Sequence, residues 1–264
     1  MELREITKDE AYELVYRNHY SVTMPRISKH YLGAFVEDRL VGIVTLGWGT
    51  QPKGTINKLF PGLGSEHYYE IGKMCMEEDM PRNSESQMLS LLIKWMKKNL
   101  DVLYLYTWAD GIVGKAGYVY QAANFYSGGY IWTDAYIAPN GERIHPRTAG
   151  KYLRENEQFS GVDHLNWLTK DYMAHKGIRH VRGKQFRYIY PLNNKAKKLL
   201  SKSTVEWNLN HPKKDDLVWK EVPSKPYHKC TILTEMPHMD MRHTKAHRPE
   251  VRRHLKKNGG VLPL

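Results

Sequence analysis

The clearest pattern of apolar and polar positions lies between residues 66 and 130, and it predicts a strand, a turn, a helix and a second strand. His67 to Met76 is apolar and aromatic enough for a strand. Pro81 and Asn83 mark a turn. Ser84, with Gln87 three residues on, reads as a capping box. Met88, Leu91, Leu92, Trp95 and Met96 then recur at three- and four-residue spacing, which gives the helix one apolar face. Lys94, Lys97 and Lys98 suit the negative end of its dipole. Asp101 to Trp108 alternates again, as a strand does. A crossover of this kind implies a parallel pair. Behind the second strand, Gly111, Gly114 and Gly117 loosen the chain, and Tyr118 to Tyr126 reads as a short helix stopped at Gly128-Gly129.

The same reading extends to the rest of the chain. Residues 8–17 form an amphipathic helix with Ala11, Leu14 and Val15 inward. Tyr31–Val36 and Leu40–Leu46 are strands of a hairpin joined across Glu37-Asp38-Arg39. Residues 47–64, rich in glycine and proline, read as a long loop that could line a cleft. Ile131–Ile137 is a further strand, turned at Asn140-Gly141 and returning through His145. A basic, aromatic tract follows Pro146, with a helix near 163–176 and a basic strand over 180–190. The expected fold class is α/β: a central mixed β-sheet flanked by helices, in one domain over 1–193, with 194–264 as an appended basic segment.

Charge sharpens the picture. The chain has 264 residues and a net charge of +12. Residues 1–140 hold 14 Lys and Arg against 16 Asp and Glu, whereas residues 141–264 hold 26 against 12. A near-neutral first half and a second half at +14 suggest a polyanionic partner. Two cysteines make no disulfide framework, which fits a reducing, cytoplasmic setting. No apolar run approaches a membrane span, and the first residues do not read as a signal peptide.

Several positions carry candidate chemistry. Ligands of open α/β sheets collect at the carboxyl ends of strands, where Asp110 stands. Tyr120, Gln121 and Asn124 follow it in one short, glycine-flanked segment, a large polar investment for packing alone. His19, Tyr20 and Ser21 end the first helix. Arg82, Asn83, Ser84 and Ser86 surround a helix N-terminus able to hold an anion, although Glu85 would face it with like charge. Arg147, Arg182, Lys184 and Arg187 lie in the basic, aromatic tract, a composition suited to phosphate contact and base stacking. His228, Cys230, His238, His243, His247 and His254 match no standard zinc spacing, so no metal site is assigned and a metal requirement stays open.

Four stretches together resemble a known family: NHYSVTMP at 18–25, EIGKMCMEEDMPRNSES at 70–86, ADGIVGKAGYVYQAANF at 109–125 and KQFRYIYPLN at 184–193. The order of elements resembles the core of the GNAT acyltransferase superfamily, and the motifs resemble more closely the Mom family of phage DNA-modification proteins. That resemblance implies an enzyme of the host-cell cytoplasm that converts adenine in double-stranded DNA to a carbamoylmethyl-adenine and so blocks restriction. It implies Asp110 as acid/base or orienting carboxylate, Tyr120 as a substrate-contacting hydroxyl, Tyr20 beside the pocket and Lys73 at the family's strand-borne basic position. An extruded base would stack on an aromatic such as Tyr20, Trp48 or Tyr118. Coenzyme A users of the superfamily carry a glycine-rich loop where this chain has Pro81 to Ser86 without glycine. The expected donor is therefore glycyl-tRNA ahead of acetyl-CoA. The alternatives are a conventional acetyl-CoA-dependent N-acetyltransferase and a non-catalytic nucleic-acid-binding module.

Overall fold

The computed structural model describes residues 1–21, 23–49, 51–144, 150–165, 167–223 and 229–240. They fall into two compact units, one of Met1–Ala109, Ala116–Tyr130 and Phe186–Pro212, the other of Asp110–Lys115, Ile131–Gln185 and the chain from Lys213 onward.

The first unit opens with β1 (Glu2–Glu5) and α1 (Lys8–Asn18). Thr7 and Glu10 form a capping box at the start of α1, with Glu10 Oε2 2.7 Å from the Thr7 N–H. The expected inward residues Ala11, Leu14 and Val15 are buried against Met24, Ile43 and Cys75. β2 (Ile27–Val36) and β3 (Arg39–Trp48) form the expected hairpin. Its turn is tighter than read from sequence: Glu37 and Asp38 both take positive φ, 48° and 63°, and Arg39 already pairs with Val36.

The expected loop at 47–64 contains a helix, α2 (Pro52–Leu59). Proline at its start fits the first turn, and burial of Ile56 and Leu59 against Tyr68 and Tyr104 outweighs the cost of Gly54, about 1 kcal/mol. β4 (Tyr68–Met76), α3 (Ser84–Asn99) and β5 (Tyr104–Asp110) are the expected crossover, and β4 pairs with β5 in parallel. The start of α3 differs in detail. Asn83 is its N-cap in the left-handed region at φ 72°, and Ser84 lies inside the helix, donating its hydroxyl to Pro81 O at 2.7 Å. The proline turn thus captures the serine that would have capped the helix, and no Ser84–Gln87 box forms.

Sheet neighbours run β1-β2-β3-β4-β5, all antiparallel except the last pair. α4 (Tyr118–Ala122) is shorter than read, and Asn124 at φ 60° ends it. Gly128 and Gly129 sit within β6 (Tyr126–Ile137) instead of stopping the helix. Glycine is required at 128 because the Trp207 ring lies where its Cβ would be. Residues 194–212, expected in the appended segment, belong to this first unit. α7 (Asn194–Leu199) and the chain after it lay Leu199, Leu200, Val205 and Trp207 on a core that includes Ala196, Ile189, Tyr104 and Phe60. Tyr104 donates its hydroxyl to Ala196 O at 2.9 Å.

In the second unit, β7 (Arg143–Ile144) pairs with the end of β6, as the Asn140-Gly141 turn predicts. α5 (Gly150–Ser160) and α6 (Lys170–Lys176) replace the single helix read near 163–176. The buried Asn156 joins them by accepting from the Thr169 hydroxyl at 2.7 Å. The first half of β8 (Arg179–Pro191) pairs with β9 (Trp219–Val222), which pairs with β10 (Thr231–Leu233). Among the described residues no helix is long and apolar enough to cross a membrane.

Candidate active site

β4 is where the first unit concentrates polar groups among aromatics. Along the β3–β4 pair, Gly47 faces Glu70, Leu46 faces Ile71 and Thr45 faces Lys73. Gly72 is therefore one residue too many, a β-bulge. The bulge has a consequence for direction. Gly47 and Thr45 are two apart on a regular strand and point to the same side. Their partners Glu70 and Lys73, three apart, then share one face of the sheet, which an unbulged strand would not allow. Glycine is needed at 72: a Cβ there would stand 2.5 Å from Pro25 Cγ. β4 and β5 pair only over Tyr68–Glu70 opposite Tyr104–Tyr106 and continue separately to Met76 and Asp110.

The loop after α1 is held on this face by Lys73, whose ammonium donates to Ser21 O at 2.9 Å. Its own N–H is accepted by Thr45 Oγ1 at 2.9 Å. The Ser21 N–H reaches His19 Nδ1 at 2.9 Å, and the His19 and Tyr20 rings stack at 4.4 Å. One residue past the strand, Glu77 binds Arg17 and Asn18 of α1, both at 2.8 Å. The structure thus brings together four of the sequence candidates: His19, Tyr20, Ser21 and Lys73. Cys75, two residues beyond Lys73, is no nucleophile, because burial pushes its thiol up to about 12.

Glu70 was not singled out from sequence. Burial raises its carboxyl to about 7, partly offset by a hydrogen bond from the Gly49 N–H. Its neighbours are the phenols of Tyr68 and Tyr106, both raised by burial, Tyr68 to about 12. Tyr106, 1% exposed, also meets Arg187, whose guanidinium lies over the Trp108 ring at 5.2 Å and donates to Gly128 O at 2.9 Å. The signal in the sequence was one carboxylate in a largely aromatic and apolar strand whose other charged residue is Lys73.

The α4 candidates have other employment. Tyr120 is buried between Phe125 and Tyr188, and its hydroxyl meets Thr107. The Gln121 amide donates to Tyr188 Oη at 3.0 Å and to Pro212 O at 2.9 Å. Tyr188 in turn donates to Ala116 O at 2.6 Å. Tyr120 and Gln121 therefore brace α4, with the Tyr120 hydroxyl on Thr107. Asn124 is exposed and spends its backbone on the left-handed turn. Of the aromatics considered for stacking, Tyr118 is 54% exposed, whereas Trp48 donates to Ser65 O and Tyr68 O and lies against Tyr69.

Asp110 belongs to the second unit, where Arg143 approaches its carboxylate at 3.8 Å. In that unit Arg182 is paired with Asp134 at 3.0 Å, and Lys184 is half-buried on β8. Arg147 and His228, His243, His247 and His254 lie outside the described residues. At the turn before α3, Arg82 and Asn83 are exposed, Ser84 is buried and Ser86 is half-buried. Among the described residues no three His, Cys, Asp or Glu side chains are grouped to hold a metal ion.

Comparison with known proteins gives four findings. Among solved structures, AAC(6')-Ib in complex with paromomycin and acetyl-CoA is similar at TM-score 0.38 and 12% identity, over 49% of this chain and 85% of that one. An aminoglycoside 6'-acetyltransferase of type Ii is similar at TM-score 0.38 and 13% identity, over 73% of this chain and 98% of that one. The methylcarbamoylase Mom of Escherichia phage Mu is 30% identical over 199 residues, 71% of this chain and 74% of that protein. The family model described as the Mom protein family matches residues 1–209, a span that holds His19, Tyr20, Ser21, Lys73 and Asp110, and the chain belongs to the Mom protein family.

Proposed function

We propose that this protein is a transferase that places a carbamoylmethyl group on the exocyclic amine of adenine in double-stranded DNA and thereby protects that DNA from restriction. The observation that carries this reading is the family match over residues 1–209, which covers the β4 face where Tyr20, Ser21 and Lys73 converge. The phage Mu relative is named a methylcarbamoylase, which supports transfer of a group built of a one-carbon unit and a carbamoyl. The +14 charge of residues 141–264 supports a nucleic-acid substrate. In this reading Lys73 and the His19–Ser21 loop line the site, and Asp110 keeps the acid/base or orienting role that the resemblance implies.

The donor follows from atoms. Acetyl supplies two carbons and an oxygen but no nitrogen, and it would attach through its carbonyl. An activated glycine ester supplies every atom. Attack by the adenine amine on the ester carbon gives adenine–NH–CO–CH2–NH2 and releases the alcohol. The glycyl amine then adds to the ring carbon bearing that nitrogen, and the five-membered ring reopens by breaking the bond from this carbon to the amide nitrogen. Adenine–NH–CH2–CO–NH2 results, with no redox step. Glycyl-tRNA is such an ester, and acetyl-CoA is its competitor for the role.

Purified protein, target DNA and tRNA charged with glycine labelled in both carbons and nitrogen provide the test. Nucleoside mass spectrometry should find all three labels in a modified adenine, and the DNA should resist restriction. Label staying out while acetyl-CoA alone gives product removes the glycyl route. Unmodified DNA with either donor removes the whole reading.

A further inference from the structure

The chain after β8 turns Leu199, Leu200, Val205 and Trp207 onto the core of the first unit and leaves its lysines outside. Lys195, Lys197, Lys198 and Lys202 are exposed, and none of them is in an ion pair with a described residue. Lys58, at the end of α2, is exposed in the same way. It joins them because Thr204 donates its hydroxyl to Lys58 O at 2.6 Å. Between this stretch and the start of β6 lies a cavity of about 550 Å³, whose lining includes Tyr126, Lys197, Glu206 and Trp207. That volume is within the range of ligand sites. The walls are fixed from behind. The Trp207 ring lies on Gly128, parallel to the Phe60 ring, and its Nε1 donates to Ser203 Oγ at 2.8 Å. Ser203 and Ser201, which also line the cavity, donate their hydroxyls to Leu59 O at 2.9 Å and Lys198 O at 3.1 Å. With these hydroxyls spent on backbone, the groups that meet a ligand are chiefly two half-buried rings, the Lys197 ammonium and the Glu206 carboxylate. Glu206 accepts from the Asn208 amide at 3.2 Å.

We propose that this cavity receives one unpaired nucleotide of a DNA strand. Its base lies on Tyr126 and Trp207, its phosphate is held by Lys197, and neighbouring phosphates run along Lys58, Lys198 and Lys202. Five lysines without carboxylate partners, against the one carboxylate of the lining, call for a polyanion. The aromatic lining calls for a flat ring, and only an unpaired base can offer its face to a cavity. Because the Ser201, Ser203 and Thr204 hydroxyls are already used, nothing there reads base edges, and the site is indifferent to sequence. It lies apart from the β4 face that holds Lys73. Tyr104, whose hydroxyl binds Ala196 O of α7, pairs with Tyr68, five residues before Lys73 and roughly 15 Å away along the strand. The inference goes beyond the transferase reading and takes from it only the choice of DNA.

Fluorescence anisotropy with the full-length chain provides the test, using a labelled thymidine strand of about 12 nucleotides and a duplex of the same length. Lys197→Ala should weaken binding of the single strand by about fivefold or more and lower the slope of log affinity against log salt by about 0.7, one phosphate's share. The same variant should change duplex affinity by less than about twofold. Tyr126→Leu should weaken the single strand by about tenfold, and Tyr126→Phe should leave it unchanged. Glu206→Gln, which removes the repelling charge, should strengthen it. Lys8→Glu, on α1 and so on a different core, should leave it within about twofold. An equal loss on single strand and duplex in Lys197→Ala overturns the proposal, and so does no loss on either. Should Tyr126→Leu fail to fold, the exposed positions 197 and 206 decide alone. An RNA strand bound more than about tenfold tighter than the DNA strand overturns the choice of DNA. Modification is not read in this assay, so protein that binds the strand and modifies nothing keeps the site and loses only the transferase reading.

Discussion

Glu70 links folding to pH. Its carboxyl titrates near 4.5 when exposed and about 7 in the fold, so the folded state favours the protonated form. The stability this contributes is fully present below about pH 4.5 and is lost as pH rises to about 7. The difference corresponds to roughly 3 kcal/mol. Urea titrations should show Glu70→Gln more stable than wild type by about 2–3 kcal/mol at pH 8, with the advantage shrinking towards pH 5. Equal stabilities across that range would contradict the burial of this charge. Tyr120→Phe removes a hydroxyl that meets Thr107 and should cost about 1 kcal/mol in the same assay. Asp110→Asn should fold like wild type yet lower modification by about 100-fold, read by nucleoside mass spectrometry.

At the scale of elements, the bulge in β4 and the turn before α3 are the two irregularities that matter. Gly72→Ala would push Pro25 and with it the loop that Lys73 holds. Its activity should fall by more than its melting temperature suggests, because the sheet pairing on either side remains. A variant with unaltered activity would show that the loop need not lie on Gly72. Asn83 in the left-handed region invites a different comparison: Asn83→Gly should be neutral or slightly stabilising, whereas Asn83→Ala should cost about 1 kcal/mol in thermal or urea unfolding.

For the molecule as a whole, net charge and chain division set the expectations. DNA affinity should fall steeply between about 50 and 200 mM salt, with a linear log–log slope that counts the phosphates neutralised. Binding indifferent to salt would remove the electrostatic argument. Residues 194–212 belong to the first unit. Truncation after Asn193 would uncover Tyr104, Phe60 and Ile189 and is expected to give insoluble protein. A soluble, cooperatively unfolding 1–193 fragment would show that α7 and Trp207 are dispensable to the core.

The sequence by itself determined the local elements. An apolar, aromatic run marked β4, alternation marked β5, spacing of three and four marked α1 and α3, and the crossover required parallel pairing of the two strands, because these signals depend only on neighbours in the chain. It also marked Tyr20, Lys73 and Asp110 as chemical candidates. Tertiary structure decided what no local signal contains. α2 forms despite Gly54 because Ile56 and Leu59 find a core, and residues 194–212 join the first unit because Trp207 finds Gly128 to lie on. Lys73 meets Ser21, 52 positions away, only once α1 is packed on β4. Glu70 is the clearest case. Alternation alone would place it on the opposite face from Lys73, and only the pairing of β4 with β3 shows the extra residue that turns both to one side.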